Sequence, residues 1–303
     1  MSTTRPSNEV ADALERGLPV VALESTIFSN LGLPTPDNLN AYERCTRAIR
    51  ARGAIPAMTC VLDGVPRAGI EEGELDRVLA GSHKVAAKDL PVVVGTGVEV
   101  GVTTVSASLA IAATVGIKVF ATGGIGGVHR RSEETGDISG DLTALATYPV
   151  ACVSAGAKAF LDLAKTLEFL ETLGVPVVGI GSDRFPAFYT RDSGLPVPAH
   201  VPDAATAARI LAAFGDVGHP GGALFTVPIP EADELDADRL DATLEQALAE
   251  AGAADLTGPE VTPFVLGRIM DATDGRSIPA NLALAENNAD VAAQIAVALA
   301  ALG

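Results

Sequence analysis

The 303-residue chain has no tryptophan, only three cysteines and few aromatic residues. Aromatics make up 4% of a sequence that is 48% hydrophobic, so small aliphatic side chains must build the core, as suits close packing of helices on a sheet. Cys45, Cys60 and Cys152 are widely spaced and have no CxxC or CxxH partner. This spacing argues against a disulfide framework or a zinc site and favours a reducing compartment, so we expect a cytoplasmic protein.

Positive charge is also scarce, with 21 lysines and arginines against 38 aspartates and glutamates and a formal net charge of −17. Phosphate backbones and anionic lipids repel such a chain, so no nucleic acid and no membrane is expected as a partner. A small anionic substrate requires basic groups concentrated in a cleft. Residues 1–10 lack the apolar run of a signal peptide, and the most apolar stretch, 105–117, is too short to span a bilayer.

Short apolar runs alternate with longer helical patterns, which predicts an α/β fold with a mostly parallel central sheet covered on both faces. The predicted strands are 19–23, 55–62, 91–94, 118–122, 150–154, 175–180 and 223–227. The predicted helices are 38–52, 104–115, 159–173, 204–214, 241–251, 262–271 and 286–302. The irregular segment 181–200 is interpreted either as a lid or binding loop or as surface padding.

Glu24 directly follows the predicted strand 19–23. Functional groups in open α/β sheets collect where strands end, because the loops there face a crevice. A carboxylate at such a position is costly unless it is paired or solvated. Glu24 is therefore either a cap or salt-bridge partner, or a general acid/base whose pKa is raised by desolvation.

A glycine-rich loop follows the predicted strand 118–122: positions 123, 124, 126 and 127 are glycine, and His129 follows two positions after the last of them. Glycines allow backbone N–H groups to approach a phosphate or sugar oxygen. The spacing is not a clean GxGxxG motif, however, and glycine turns without ligands are common. His129 fits a ligand contact and a loop hydrogen bond equally well.

The segment DISGD places two carboxylates, Asp137 and Asp141, close together. Mg²⁺ and Mn²⁺ take oxygen ligands and often keep several waters, so one protein carboxylate can suffice for a metal site. Capping of the following helix is the other interpretation, and it is stronger for Asp141 than for Asp137.

Two lysines complete the set of candidate residues. Lys158 follows the predicted strand 150–154 and is predicted to lie in the first turn of a helix. The helix dipole and burial would lower its pKa there and leave the uncharged amine that a Schiff-base nucleophile needs. A surface lysine is the alternative. Lys84 is suited instead to supply fixed positive charge for a phosphate.

Together these motifs resemble the pseudouridine-5'-phosphate glycosidase family. The similarity includes ALEST (22–26), GAIPA (53–57), TTVSAS (103–108), KVFATGGIGGVHR (118–130), DISGDL, SAGAK, TLEFLETLGVPVVG (166–179), TPF (262–264) and the segment from Asn281 to Asn288. The resemblance implies a single domain over residues 1–303, with a layered α/β/α fold and assembly as a homotrimer.

The resemblance also implies a reaction, the reversible cleavage of the C–C glycosidic bond of pseudouridine 5'-phosphate to uracil and ribose 5-phosphate. By similarity, Lys158 attacks C1' and forms a sugar imine, while Glu24 transfers a proton that opens the ribose ring. A divalent metal, usually Mn²⁺, is implied at Asp137. The implied contacts to the phosphorylated ribose and the nucleobase are Lys84, Val105, His129, Ser139, Gly140, Asp141 and Asn281.

The sequence departs from the family pattern near the ligand. Gly136 stands where a bulky apolar residue is usual, Gly140 replaces the alanine of DISAD, residues 87–90 read AKDL for RRDL, and Met58-Thr59-Cys60 replace small and aliphatic residues. None of these changes alters Glu24, Asp137 or Lys158, so we expect the bond chemistry to persist. The alternative function is a C-nucleoside synthase, which joins ribose 5-phosphate to a different nucleobase-like heterocycle, as in nucleoside-antibiotic pathways.

Two other classes of protein share part of the pattern. A non-enzymatic sugar-phosphate sensor would keep the phosphate-binding loop but has no reason to keep Glu24 and Lys158 together. A Schiff-base aldolase would keep Lys158 but cleave a sugar phosphate with no base present. Borohydride trapping with ribose 5-phosphate separates the sensor from the enzymes, and product analysis separates the aldolase.

Overall fold

The computed structural model of the protein describes residues 4–254, 256 and 261–302. Within these residues the strands are β1 Arg5–Pro6, β2 Val20–Leu23, β3 Ile55–Leu62, β4 Val65–Ala68, β5 Lys84–Val85, β6 Val100–Thr103, β7 Val119–Ala121, β8 Ala151–Ser154, β9 Val177–Ile180, β10 Ala199–Val201 and β11 Ala223–Thr226. The helices are α1 Asn8–Glu15, α2 Asp37–Ala51, α3 Leu75–Leu79, α4 Leu90–Thr96, α5 Val105–Val115, α6 Ser132–Thr135, α7 Gly140–Thr147, α8 Leu163–Thr172, α9 Ala204–Val217, α10 Ala237–Ala253, α11 Val261–Ala272 and α12 Ser277–Ala300.

The centre of the fold is a parallel sheet with the strand order β3-β2-β7-β8-β11-β9-β10. Every residue of β2, β7, β8, β9 and β11 is buried. Strands that are apolar along their whole length require cover on both faces. Helices α2, α9 and α12 pack together over this sheet, and α5 and α7 form a second helical pair that also contacts it. The prediction of an α/β fold with a mostly parallel sheet is confirmed.

Strand β3 connects the parallel sheet to a smaller antiparallel branch. Its residues 55–58 pair with β2, whereas residues 59–62 pair antiparallel with β4 on one side and 60–62 with β6 on the other. Strand β5 then adds to β6. This branch brings the ends of β5 and β6 close to the end of β2, since the backbone N–H of Thr26 donates to Thr103 O at 3.1 Å.

The predicted strand 91–94 is wrong, because these residues lie in helix α4. Pro91 stands at the helix start and Gly97 ends the helix with a φ of +67°, which is the usual distribution of proline and glycine around a helix. A short apolar run does not by itself distinguish a strand from a helix. The last helix begins at Ser277, whereas the predicted helix begins at 286. Pro279 does not prevent this earlier start, because it falls in the first turn of the helix, where proline is tolerated.

The irregular segment 181–200 is not surface padding. Its side chains Phe185, Phe188 and Tyr189 are buried in the main hydrophobic core. None of the helices in the described ranges combines the length and the apolar character needed to cross a membrane.

Candidate active site

Three adjacent parallel strands carry the main candidate residues at their carboxyl ends. Glu24 follows β2, Thr122 and the glycine loop follow β7, and Lys158 comes after β8. Because β7 lies between β2 and β8 in the sheet, the three strand ends form one continuous edge. The structure therefore brings Glu24 and Lys158 to the same side of the sheet, where ligands bind in open α/β folds.

Glu24 is buried, with 7% of its surface exposed. The hydroxyl of Thr122 donates a short hydrogen bond to Glu24 Oε1. Burial raises the pKa of Glu24, and the positive charge of Lys158 and the Thr122 hydrogen bond oppose this rise. A raised pKa from desolvation is what the sequence predicted for a general acid at this position.

Lys158 does not lie in the first turn of a helix, so this part of the sequence prediction is wrong. It occupies a turn before α8, which begins only at Leu163. Its backbone N–H donates to Ile125 O at 3.1 Å, and its carbonyl accepts from the Leu161 N–H at 3.0 Å. The helix-dipole argument consequently does not apply to Lys158, and its place is fixed by a turn bonded to the glycine loop.

Gly156 determines the shape of this turn. Its φ is +75°, and a Cβ atom there would lie 2.4 Å from Pro186 O. The position therefore requires glycine for both its backbone conformation and the close approach of the segment 181–200. The carbonyl of Gly156 accepts from the Ile125 N–H at 3.1 Å, which joins the turn to the glycine loop.

The glycines of the loop 123–127 are needed for packing. A Cβ at Gly124 would lie 2.5 Å from Phe188 Cδ2, one at Gly126 would lie 2.3 Å from Ser139 Oγ, and one at Gly127 would meet Thr166 Oγ1 at 2.5 Å. None of the glycines in this loop has a positive φ. The absence of side chains therefore allows the loop to pack closely against its neighbours. The same absence would allow a ligand to approach the backbone.

Asp141 is bound to two backbone amides. Its Oδ1 accepts from the N–H of Ser106, in the first turn of α5, at 2.9 Å, and its Oδ2 accepts from the N–H of Gly126 at 2.8 Å. Ser139, and not Asp141, caps helix α7. Asp141 thus joins the glycine loop to the start of α5, so both oxygens are already committed within the protein. Gly140 begins α7 on the exposed side, and a Cβ there would meet no atom within 4 Å.

His129 and Asp137 lie side by side. His129 Nδ1 is 3.6 Å from Asp137 Oδ2, and the His129 backbone N–H donates to Asp137 O at 3.1 Å. Burial lowers the pKa of His129, although the Asp137 carboxylate acts in the opposite direction. In the part of the chain that the structure describes, no group of three histidine, cysteine, aspartate or glutamate side chains is arranged to hold a metal. A metal at Asp137 would therefore depend mainly on one carboxylate and water.

Lys84 is the first residue of β5, and its side chain is only partly exposed. Partial burial lowers its pKa, as does the nearby charge of Lys158, while Asp141 and Glu24 raise it. These mutual effects place both lysines within electrostatic range of Glu24. Val105 is the buried first residue of α5, which starts beside the end of β6.

Two asparagines of α12 face the glycine loop. Asn281 Oδ1 is buried without a hydrogen-bond partner and lies 3.5 Å from where a Cβ of Gly123 would be. Asn288 is fully buried, and its Nδ2 donates to Thr122 O at 2.9 Å and to Gly123 O at 3.1 Å. The side-chain oxygens of Asn281 and Asn288 are thus both unpaired beside the glycine loop, and the Asn288 amide nitrogen holds the loop.

Sequence reasoning did not identify Thr122 or Thr103 as residues of the site. Thr122 is the first residue after β7, adjacent to β2, so its position beside Glu24 follows once the strand order is known. Thr103 ends β6, and the sequence gives no signal that β6 reaches the end of β2.

A cleft of about 640 Å³ opens beside the Lys158 turn, but it is separate from the candidate active site. Its charged lining is largely paired, since Lys165 Nζ lies 2.8 Å from Glu133 and 3.3 Å from Asp162. The site residues named above do not line this cleft.

Fold and site together define an α/β protein with a buried carboxyl group and a lysine amine at one sheet edge. The sequence model of the family described as indigoidine synthase A like protein matches residues 9–298, and the chain belongs to this family. The pseudouridine-5'-phosphate glycosidase of Nocardioides sp. is 49% identical over 96% of this chain and 94% of the relative. The protein of the same name from Myxococcus xanthus is 48% identical over 98% of each chain.

Solved structures are similar over nearly the whole chain. The prealnumycin C-glycosynthase AlnA, in complex with ribulose 5-phosphate, has a TM-score of 0.91 and 36% identity, covering 99% of this chain and 97% of that chain. An indigoidine synthase A-like protein from Thermotoga maritima has a TM-score of 0.87 and 34% identity, covering 98% and 96% of the two chains.

Proposed function

We propose that the protein reversibly cleaves the C–C glycosidic bond of pseudouridine 5'-phosphate to give uracil and ribose 5-phosphate. The observation that carries this proposal is the placement of a buried Glu24 and of Lys158 at adjacent strand ends of one sheet edge. The names of the relatives that are 48–49% identical over almost the whole chain support the same reaction.

In the first step the amine of Lys158 attacks C1' and the bond from C1' to the ring oxygen breaks. The Glu24 carboxyl group donates its proton to that oxygen, which its raised pKa favours. The ammonium formed on Lys158 returns a proton to the Glu24 carboxylate, and Glu24 passes it to the base carbon. The C–C bond then breaks as the freed nitrogen lone pair forms a protonated imine at C1'. Water releases ribose 5-phosphate and restores the amine. Covalent catalysis thus divides one difficult cleavage into easier steps.

Substrate binding is assigned to the groups around this pair. Lys84 supplies positive charge for the phosphate in a chain of net charge −17, in which such charge is otherwise scarce. The family resemblance assigns Val105, His129, Ser139 and Gly140 to substrate binding, and Asn281, whose Oδ1 has no hydrogen-bond partner, to a contact with the base or sugar. Asp141 acts on the substrate through the glycine loop that it holds.

We also propose that Asp137 holds Mn²⁺ or another divalent cation, with water completing the coordination shell. The half-exposed carboxylate beside His129 fits a hard cation that keeps several waters. When bound, the ion would add positive charge beside the substrate. Cation binding is measured by calorimetry, and Asp137→Ala is expected to abolish it. We further propose that the protein is a cytoplasmic homotrimer.

A C-nucleoside synthase is the second candidate function. Two observations favour it: the open space at Gly140, where a Cβ would have no neighbour within 4 Å, and the similarity to the prealnumycin C-glycosynthase. A less crowded entrance would admit a different heterocycle in place of uracil.

The two functions are separated by assays with Mn²⁺ in both directions, using pseudouridine 5'-phosphate alone and ribose 5-phosphate with uracil. Borohydride reduction followed by mass spectrometry locates the sugar adduct. Uracil release with an adduct on Lys158 supports the glycosidase. An adduct from ribose 5-phosphate with little uracil chemistry supports the synthase, and the absence of any adduct contradicts both.

A further inference from the structure

The peptide groups on both sides of Glu24 are bound by threonine hydroxyls. Thr59 Oγ1 lies 3.1 Å from the carbonyl oxygen of Leu23, which belongs to the peptide before Glu24. The backbone N–H of Ser25, in the peptide after Glu24, donates to Thr103 Oγ1 at 3.4 Å. The main chain at Glu24 is therefore restrained from both sides by side chains of β3 and β6.

The two threonines are also bound to each other. Their hydroxyl oxygens are 2.8 Å apart, and Thr103 Oγ1 donates to the backbone carbonyl of Thr59 at 2.8 Å. Ser108 Oγ lies 2.7 Å from Thr59 Oγ1 and donates to Thr104 O at 2.8 Å, so the one hydroxyl hydrogen of Thr59 is shared between Leu23 O and Ser108 Oγ. Thr59, Thr103 and Ser108 are all fully buried.

This network is not needed to fill the core. Valine occupies the same volume as threonine and requires no hydrogen-bond partner, whereas a buried hydroxyl is costly unless it is bonded. A fully bonded buried network instead fixes one arrangement of the groups it joins. Here it fixes the ends of β2 and β6, the middle of β3 and the start of α5 relative to one another.

Glu24 is the residue that benefits from such restraint. Its carboxyl group is buried, is bonded to Thr122, and lies within electrostatic range of Lys158, Asp141 and Lys84. Proton transfer depends on placing the acid within hydrogen-bond distance of the atom it protonates. We propose that Thr59 and Thr103 are positioning residues that hold Glu24 in its proton-transfer position through the adjoining peptide groups. This inference rests on the proposed function.

The test compares Thr59→Val with Thr59→Ser in the full-length protein. Thr59→Val keeps the volume and loses the hydroxyl, so kcat for uracil release should fall about tenfold, with KM changed less than about twofold. Thr59→Ser keeps the hydroxyl and should recover most of kcat. The matched control is Thr273→Val, which removes a buried hydroxyl bonded to the backbone of Ile269 and Ser277. The control should lower the melting temperature and leave kcat unchanged.

A merely structural role of Thr59 predicts a different outcome. Thr59→Val would then lower the melting temperature as Thr273→Val does, with wild-type kcat for the folded protein, and this result would overturn the proposal. If the wild type releases no uracil, the proposed function fails on its own. In that case crystal structures of the wild type and Thr59→Val test the positioning role separately. Loss of the Glu24–Thr122 hydrogen bond in the variant supports the positioning role, and retention of this hydrogen bond contradicts it.

Discussion

Glu24 and Lys158 lie at the same edge of the sheet but are held there by different means. Glu24 is surrounded by hydroxyl groups, from Thr122 on its carboxylate and from Thr59 and Thr103 on the adjoining peptides. Lys158 follows a turn shaped by Gly156, which packs directly against a neighbouring backbone.

The difference corresponds to the role that we propose for each residue. A proton donor needs a set pKa and orientation, and hydrogen bonds and nearby charges control both. A nucleophile needs its amine delivered to one point with room to form a covalent bond, and a rigid turn provides this. Substitutions should therefore affect the two regions through different measurable properties.

The largest effect is expected from removing the amine. Lys158→Ala should abolish turnover and adduct formation, because no other nucleophile is assigned, while ribose 5-phosphate still binds in calorimetry. Lys118→Ala, an exposed lysine at the opposite end of β7, is the control and should behave as wild type. Undiminished turnover of Lys158→Ala would refute the assignment of the nucleophile.

Removing the ionisable group of Glu24 should have the next largest effect. Glu24→Gln should lower kcat by about 10²–10⁴-fold, the usual contribution of a general acid. It should also change the dependence of stability on pH. Because burial raises the pKa of Glu24, the folded state keeps its proton at pH values where the unfolded state, with a pKa near 4.5, has lost it.

Ionisation of Glu24 therefore lowers the free energy of unfolding. This destabilisation is absent below pH 4.5 and grows as the pH rises above it. Glu24→Gln lacks this destabilisation. Its melting temperature should therefore increase relative to the wild type as the pH is raised from about 4 to 8, measured by calorimetry. A difference that stays constant over this range would contradict a raised pKa of Glu24.

The sequence was sufficient to predict the parallel sheet and the position of Glu24. Strand β3 was predicted with its observed bounds, and the strand ends carrying Glu24 and the glycine loop follow from simple apolar runs. The turn before α8 was not predicted, because the helical pattern of 159–173 continues backward through it. What holds Lys158 depends on Gly156 approaching Pro186, a contact that only the tertiary structure reveals.

The hydroxyl network was beyond local sequence reasoning for a related reason. Thr103 bonds to Ser25 across 78 positions and to Thr59 across 44. Threonine in a strand is commonplace, so neither residue stands out in its own segment. Likewise, Asp141 has the sequence features of a helix cap, yet its partners are the amides of Ser106 and Gly126 in other elements.

The Lys158 turn can be disturbed by adding one methyl group. Gly156→Ala places a Cβ 2.4 Å from Pro186 O at a φ of +75°. We expect destabilisation of about 3 kcal/mol from backbone strain and displacement of the adjacent chain, and at least a tenfold lower kcat. Gly174→Ala is the matched control, with a φ of +72° and no atom within 4 Å of the added Cβ. Gly174→Ala has the same backbone strain but no clash. Equal losses of stability and kcat in both variants would therefore contradict the role of the Gly156–Pro186 contact.

The smallest effect is expected at Asp141, which connects the two regions without belonging to either. Asparagine at this position keeps one acceptor and turns an NH₂ group toward the N–H of Ser106 or Gly126, so Asp141→Asn should cost about 1–2 kcal/mol in chemical denaturation. Asp203→Asn is the control, because there a single oxygen, Oδ1, accepts from both the N–H and the hydroxyl of Thr206, and asparagine retains it. Equal stability of Asp141→Asn and the control would mean that the glycine loop is held by its packing alone.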